Sequence, residues 1–380
     1  MRKIAGLLLL ATAVAAHADV TVSDADSLAH RASGGPAHNV MAGHQLKAGE
    51  KSRRGIPLGS QAPQATGSQA LIDASGVKYF INTNITFSTS SSASGAMSEA
   101  SYTHAVAATT MNGGTVMSTL NDAYDGYNTL CMSLNNTVAT CQTGNANFVI
   151  YNKNGPATAS CSGREIDFPV QTAANGITMQ RTVYVPTADS YARWNNIVTN
   201  TGATSQTVTL VIANNLGSDS NTVITGSSSG GTTVNTTSQW VTTFQNYSGT
   251  TSSDPRLGHV FGGPGAQVPL AGINFADGDD NPFWGYTFTL APGQTRSILN
   301  FAVVQPSKAA AATKAASLVN LPAGTLNCLS QAQQTQVANF NAAPIIPEAA
   351  PGPSRPLLAL LAAMLAAIGV FAARRLRASK

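Results

Sequence analysis

Charge is scarce in this chain of 380 residues: Asp, Glu, Lys and Arg make up 10% of it, against roughly a quarter in an ordinary soluble domain. The formal net charge of +4 is misleading, because six of the 21 bases (Arg2, Lys3, Arg374, Arg375, Arg377 and Lys380) sit at the two ends. Without them 15 bases face 17 acids. No basic stripe remains to track a phosphate backbone, so no nucleic-acid partner is expected. Cysteine is limited to Cys131, Cys141, Cys161 and Cys328, with no C-x₂-C pair, which argues against structural zinc. Strands do not alternate with helices as a parallel sheet would require. No G-x-S-x-G is present, and a Ser/His/Asp set in the body would have to use His104 or His259.

Short alternating runs are abundant. Val77 to Phe87, Phe148 to Tyr151, Ile177 to Val185, Ala192 to Val198, Thr207 to Ala213, Trp284 to Leu290 and Ser297 to Val304 each read as strands. In the fifth, Val208, Leu210 and Ile212 share one face and Thr207 and Thr209 the other, the period of a half-buried strand. Gly, Asn, Pro and Ser separate the runs. Thr201-Gly202-Ala203 is expected to turn a hairpin between the Ala192 and Thr207 runs. Ala291-Pro292-Gly293-Gln294 is expected to join the Trp284 and Ser297 runs, and Ser227 to Gly231 to be a mobile loop. Lys308 to Val319 is helical by its alanines. Gln331 to Phe340 forms a second helix, with Ser330 and Gln333 as a capping box. The fold class is mainly β: a large two-sheet antiparallel β-sandwich over residues 68–340, closed by short C-terminal helices. Trp194, Trp240 and Trp284 are expected to fill its core, although an exposed Trp on a β-face could bind glycans.

An even cysteine count in an exported chain implies two disulfides. If Leu130–Leu134 and Val138–Cys141 form a hairpin, the three-residue loop Asn135-Asn136-Thr137 sets 134 opposite 138 and so Cys131 opposite Cys141. Cys161 and Cys328 are then the second pair, tying the end of the body to its middle.

Candidate ligand sites are few. Asp277, Asp279, Asp280 and Asn281 resemble the opening of a calcium loop. The EF-hand pattern fails, with Pro282 and Phe288 where Gly and Glu belong, and a solvated acidic turn fits the same residues. No other cofactor is expected. Asp122 and Asp125 beside Tyr124 and Tyr127 suggest a sugar-active pair or an Asp-Gly turn. Asn214 to Ser220 reads as a structural corner. His30, His38 and His44 lie in a leader, residues 19–67, without periodicity.

The two ends carry addresses. Residues 1–18 have the charged start, apolar run and Ala16-His17-Ala18 cleavage site of a signal peptide. Residues 341–356 form a Pro/Ala linker, and 357–373 carry no charge. As a helix those 17 residues span roughly 25 Å, near the thickness of a bilayer core. Residues 374–380 follow, where Arg374, Arg375 and Arg377 would hold the end inside as a stop signal. Ile346-Pro347-Glu348, the helix and the basic end together resemble the C-terminal sorting signals of the PEP-CTERM and IPTL-CTERM type, with Ala349-Ala350 replacing the residues that usually follow. That resemblance implies surface sorting by a membrane protease acting near Ile346–Glu348.

A second resemblance lies in the body. Arg181-Thr182-Val183-Tyr184-Val185-Pro186, Ala192-Arg193-Trp194, Thr199-Asn200-Thr201-Gly202 and Asn215-Leu216-Gly217-Ser218-Asp219 are similar to a β-rich module of uncharacterised exported bacterial proteins. It implies a large sandwich and no catalytic residues. The combined expectation is an exported cell-surface structural or adhesive protein, anchored in the inner membrane or sorted outward, with a surface glycan or protein as partner. The alternative is a carbohydrate-binding or carbohydrate-cleaving module.

Overall fold

The alternating runs become strands whose apolar faces close on a shared interior. The computed structural model describes residues 68–83, 93–102, 110–111, 114–115, 120–124, 126–141, 145–152, 156–216, 222–245, 256–305 and 307–342, with residues 50–51 and 57–58. The compact unit ends at Ala342. The signal-peptide, His30, His38, His44 and His104 expectations lie outside the described residues, as do Ile346, Pro347, Glu348, residues 357–373 and the terminal bases. Among the described residues no helix is long and apolar enough to cross a membrane.

The strands are β1 (Ser68–Ile72), β2 (Lys78–Asn82), β3 (Met97–Tyr102), β4 (Leu120–Ala123), β5 (Thr129–Ser133), β6 (Phe148–Ile150), β7 (Thr158–Ser160), β8 (Glu165–Asp167), β9 (Gln171–Thr172), β10 (Ile177–Tyr184), β11 (Ala192–Asn200), β12 (Gln206–Ala213), β13 (Thr222–Ser227), β14 (Trp240–Gln245), β15 (Arg256–Val260), β16 (Gly272–Asn274), β17 (Phe283–Leu290) and β18 (Thr295–Gln305). They build three antiparallel sheets, while Glu50–Lys51 with Pro57–Leu58 and Thr110–Met111 with Gly114–Thr115 form two separate two-stranded ones. The largest runs β7-β8-β10-β11-β18-β15-β14-β13, with β9 also on β10; the second runs β6-β5-β12-β17-β16; the third runs β1-β2-β3-β4.

The inner faces of the first two sheets meet in one core. Met179, Trp194 and Ile298 come from the first, and Leu210, Ile212 and Trp284 from the second. Across this interface Asn300 Nδ2 donates to the Tyr286 hydroxyl at 3.0 Å. The sandwich has a further layer. Helix α1 (Lys308–Leu318), helix α2 (Gln331–Gln336) and the chain around them cover the outer face of the large sheet, where Leu299, Phe301 and Val303 pack against Ala315, Leu318 and Phe340. With apolar cover on both sides, β18 is buried along nearly its whole length.

Helix α1 starts where Ser307 accepts a hydrogen bond from Ala310 N–H at 3.1 Å, and α2 carries the Ser330/Gln333 capping box in full. The second helix was expected to reach Phe340 and instead stops at Gln336. The reason is the sheet. β15 pairs with β18 only from Phe301 to Gln305. Further back along β18, Val337 bridges Ser297, Ala338 N–H donates to Ser297 O at 2.9 Å, and the Asn339 side chain bonds both the N–H (2.8 Å) and the C=O (2.7 Å) of Leu299. Unmet backbone groups in a buried strand cost more than one lost helical turn.

One connection differs from expectation, and a second joins its two strands as expected but across sheets. Thr201-Gly202-Ala203 does not turn a hairpin: β11 pairs with β10 and β18, whereas β12 pairs with β5 and β17. The chain crosses between sheets there. The Ala291–Gln294 turn also changes sheets, taking the chain from β17 to β18. Asn200 holds both corners. Its N–H donates to Gln294 O (3.0 Å) and its C=O accepts from Gly293 N–H (2.8 Å). Its Nδ2 donates to Thr204 O (2.8 Å) and Leu290 O (2.9 Å), and its Oδ1 accepts from Gly202 N–H (2.9 Å).

The disulfides are Cys131–Cys141 and Cys161–Cys328, an even pairing that fits an oxidising environment. The expected Leu130–Leu134/Val138–Cys141 hairpin is absent, because β5 takes β6 and β12 as its partners. After the Asn135–Thr137 turn the chain folds over the outer face of the second sheet. Val138 lies against Gly272 and Gly285, which are register partners, and a Cβ on Gly285 would fall 2.8 Å from Val138. The Cys131–Cys141 bridge thus straps a segment across a sheet face, packed with Val211 and Ala213.

Replacing Asn200 with Ala leaves the buried Leu290 O unmet, at about 1–3 kcal/mol, and removes the bonds to the more accessible Gly202 N–H and Thr204 O, at about 1 kcal/mol each. Urea unfolding is expected to show a loss of about 3 kcal/mol; a change below about 1 kcal/mol would mean that the corners are held by other contacts.

Candidate functional site

Among the described residues, three buried clusters and two surface loops carry side chains capable of chemistry. The first cluster is centred on Arg181 of β10, which is 0% exposed. Its Nη1 donates to Asn128 O (2.9 Å) and Ser94 O (3.3 Å), and its Nη2 to Asn128 Oδ1 (2.6 Å). Burial pushes this guanidinium down to about 9. Trp194 Nε1–H donates to Gly95 O at 2.7 Å. Gly95 has φ +73°, and a Cβ there would meet Arg181 Cδ at 2.6 Å, so only glycine fits. The turn before β3 and the residue before β5 thus converge on a cation from β10 of the large sheet.

The second cluster contains His259 of β15. Its Nε2 lies 2.9 Å from Thr243 Oγ1 and its Nδ1 lies 3.1 Å from the Tyr127 hydroxyl. Tyr127 packs edge-on against Trp194 and Trp284, at 5.6 and 6.2 Å between ring centres. Thr243, His259 and Tyr127 form a hydrogen-bonded row, but all are sealed from solvent. Burial pushes His259 down to about 3, so it is neutral at physiological pH. This row braces the aromatic core and has no path to a substrate.

The third cluster lies on the outer face of the large sheet. Arg193 Nη2 pairs with Glu165 Oε1 at 3.0 Å, and Thr182 Oγ1 donates to the same oxygen at 2.8 Å. The guanidinium sits 4.6 Å from the Tyr184 ring centre, and its Nη1 donates to Thr325 O and Asn327 O. Burial raises the Glu165 carboxyl, with Arg193 opposing the shift. This pair fastens the C-terminal cover to β11.

The acidic loop has a structural role. Asp277 Oδ1 accepts from Ile224 N–H at 2.7 Å and Gly278 N–H donates to Thr222 O at 2.8 Å, so the loop shields the free edge of β13. Asp279 Oδ1 accepts from Asn281 N–H at 2.9 Å, and Asn281 Nδ2 donates to Asp280. Among the described residues no three His, Cys, Asp or Glu side chains gather as metal ligands. Tyr124 and Tyr127 are core residues, while Asp125 lies outside the described residues. Asn214 acts at a corner, with Nδ2 donating to Pro282 O at 3.0 Å and Oδ1 accepting from Asn128 N–H at 2.9 Å; residues 217–220 lie outside the described residues.

Ser227 to Gly231, expected to be a mobile loop, open the connection between β13 and β14, residues 228–239, which is tied by its own side chains. Ser229 and Ser238 hydroxyls lie 2.7 Å apart, Asn235 Oδ1 accepts from Thr237 N–H (2.8 Å) and Oγ1–H (2.6 Å), and Ser228 Oγ accepts from Gln239 N–H (2.6 Å). At its base stands Trp240, half-buried against the outer core; Trp194 and Trp284 are wholly interior.

Sequence reasoning missed Arg181, Arg193 and Glu165 as clusters. The available signal was a basic residue at the centre of an apolar strand in a chain that is only 10% charged.

No protein-family model matches the chain, and no curated protein sequence does. Solved structures with some likeness include the polysaccharide lyase BACCELL_00875, at 11% identity and TM-score 0.35, covering 62% of this chain and 34% of that one. A galactose mutarotase-like protein from Lactobacillus casei ATCC 334 has 10% identity and TM-score 0.37, covering 63% of this chain and 100% of that one. Heparinase III has 14% identity and TM-score 0.34, covering 67% and 39%. This chain thus spans about a third of the length of the lyase. At these TM-scores the likeness carries nothing about ligand or chemistry.

With its folded pKa at about 3 against 6.5 unfolded, His259 takes up its proton only on unfolding. Its contribution to stability is complete above pH 6.5 and falls by about 1.4 kcal/mol per pH unit as the pH drops toward 3. Urea titrations between pH 7 and pH 4 are expected to show this slope in the wild type relative to His259→Gln. Parallel pH profiles for the two proteins would place the titrating group elsewhere.

Proposed function

We propose that this chain is an exported structural or adhesive module, displayed at a membrane or cell surface by its C-terminal segment. The observation that carries the reading is the pair of disulfides within one body, a feature of proteins matured outside the reducing cytosol. The polar clusters centred on Arg181, His259 and Arg193 support it, because each is engaged in holding sheets and cover together. The apolar 357–373 segment and the bases after it supply the tether, and a protease acting near Ile346–Glu348 would convert anchoring into release. Intact-mass measurement of the surface fraction separates the two fates, since release removes the helix. Changing Arg374, Arg375 and Arg377 to Ser is expected to lower membrane retention several-fold. Unchanged retention would remove the stop signal from the proposal, and recovery of the wild-type chain in the cytosol with reduced cysteines would overturn export.

A second reading, carbohydrate binding, is favoured by one observation. The 228–239 loop presents hydroxyl and amide groups already fixed by hydrogen bonds, and Trp240, whose indole is partly exposed, follows it in the chain. An aromatic face next to pre-ordered polar groups suits a sugar ring. On a glycan array, specific binding that Trp240→Ala reduces at least tenfold would establish this reading. Binding that Trp240→Ala leaves intact, or no binding, would reject the loop as the site.

A further inference from the structure

The two disulfides sit in opposite environments. Cys131 and Cys141 are 0% and 1% exposed, whereas Cys161 is exposed and Cys328 half-buried. The second bridge also sits on unusual backbone. Cys161, Ser162 and Gly163 follow one another in the left-handed region, at φ 49°, 55° and 79°, and Cys328 lies there too, at φ 72°. Three of these four residues are not glycine, and for such residues that conformation is unfavourable. Residues 161–163 are all exposed, and nothing lies within 4 Å of where a Gly163 side chain would begin, so the turn that carries Cys161 faces solvent.

What the bridge fastens is equally specific. Residues 321–329 form the turn-rich part of the cover between α1 and α2. Arg193 donates to Thr325 O and Asn327 O, Tyr191 OH donates to Gly324 O, and Cys328 completes the attachment. These anchors lie outside the main core, whose two sheets are held by Arg181, Asn200 and the aromatic interior. The 321–329 segment can therefore loosen while residues 337–339 stay bonded to β18 and the sandwich stays folded.

We propose that Cys161–Cys328 is a thiol-exchange site, a reducible latch on the 321–329 segment, and that its reactant is an external dithiol. A thiolate of the dithiol attacks Cys161 Sγ, the Cys161–Cys328 bond breaks, and Cys328 leaves as a thiolate that takes up a proton. The second thiolate of the dithiol attacks the mixed disulfide and frees Cys161. The protein gains two electrons and two protons, and the dithiol departs as its own disulfide. Exposed or conformationally strained bridges are the ones open to such exchange, and sealed ones resist it.

The test uses the full-length folded protein treated with graded dithiothreitol, quenched with N-ethylmaleimide and mapped by peptide mass. Cys161 and Cys328 are expected to be labelled at least tenfold faster than Cys131 and Cys141, with the far-ultraviolet circular dichroism of the sandwich unchanged. Labelling of both pairs together, earlier labelling of Cys131 and Cys141, or loss of the β signal as Cys161 opens would each overturn the latch. As a second arm, Cys161→Ser with Cys328→Ser is expected to gain thermolysin cleavage before Leu326 or Leu329 while the rest of the body resists. Resistance at both leucines would overturn the loosening. If that variant does not fold, a stable sandwich without the bridge is ruled out and the proposal fails.

Discussion

A guanidinium buried where three sheets meet organises this protein. Removing Arg181 from water is costly, and the cost is offset only if its donors find acceptors in a fixed arrangement. Asn128 supplies two of them and Ser94 a third. That requirement positions the turn before β3, the start of β5 and the middle of β10 relative to one another. Gly95 is part of the same constraint, since any side chain there would occupy the space of the arginine. Trp194 reads the same turn through Gly95 O and brings β11 into register with it. One desolvated charge thereby converts three local hairpin systems into a single interior.

The second organising demand is that β11 and β18, covered on both faces, expose almost no backbone to water. Their polar groups must be met inside the protein. β15 serves one stretch of β18, and Val337, Ala338 and Asn339 serve the stretch that β15 leaves. This explains why the C-terminal cover is an integral layer. It also explains why α2 is short: the chain must leave the helix to reach the strand. The Arg193–Glu165 pair and the Cys161–Cys328 bridge then pin the cover at the other end of the sheet.

These two demands shape the functional reading. Side chains that look like catalytic candidates in isolation, His259 and Tyr127 above all, are committed to the interior. Their hydroxyl and imidazole groups satisfy one another, and burial holds the imidazole neutral. Ordered polar chemistry at the surface is found instead in the 228–239 loop, whose serines, threonine and asparagine bond to one another beside Trp240. A stable sandwich that carries a preformed loop is a body suited to display.

Much of this was already determined by local sequence. Period-two alternation defined β12 and β17, alanine content defined α1, and Ser330 with Gln333 defined the start of α2, because each depends on residues within one turn or one strand. Cysteine parity implied two bridges. Tertiary structure alone decided the partners. Thr201-Gly202-Ala203 has the chemistry of a hairpin turn and of a sheet-crossing corner equally, and only the pairing of β11 with β18 and of β12 with β17 distinguishes them. The Cys131–Cys141 bridge likewise needed no hairpin, since a glycine pair on the neighbouring strands let Val138 lie flat across the sheet. The physical reason is the same in both cases: local sequence sets the conformation of a segment, whereas packing and hydrogen bonding between residues far apart in the chain set which segments meet.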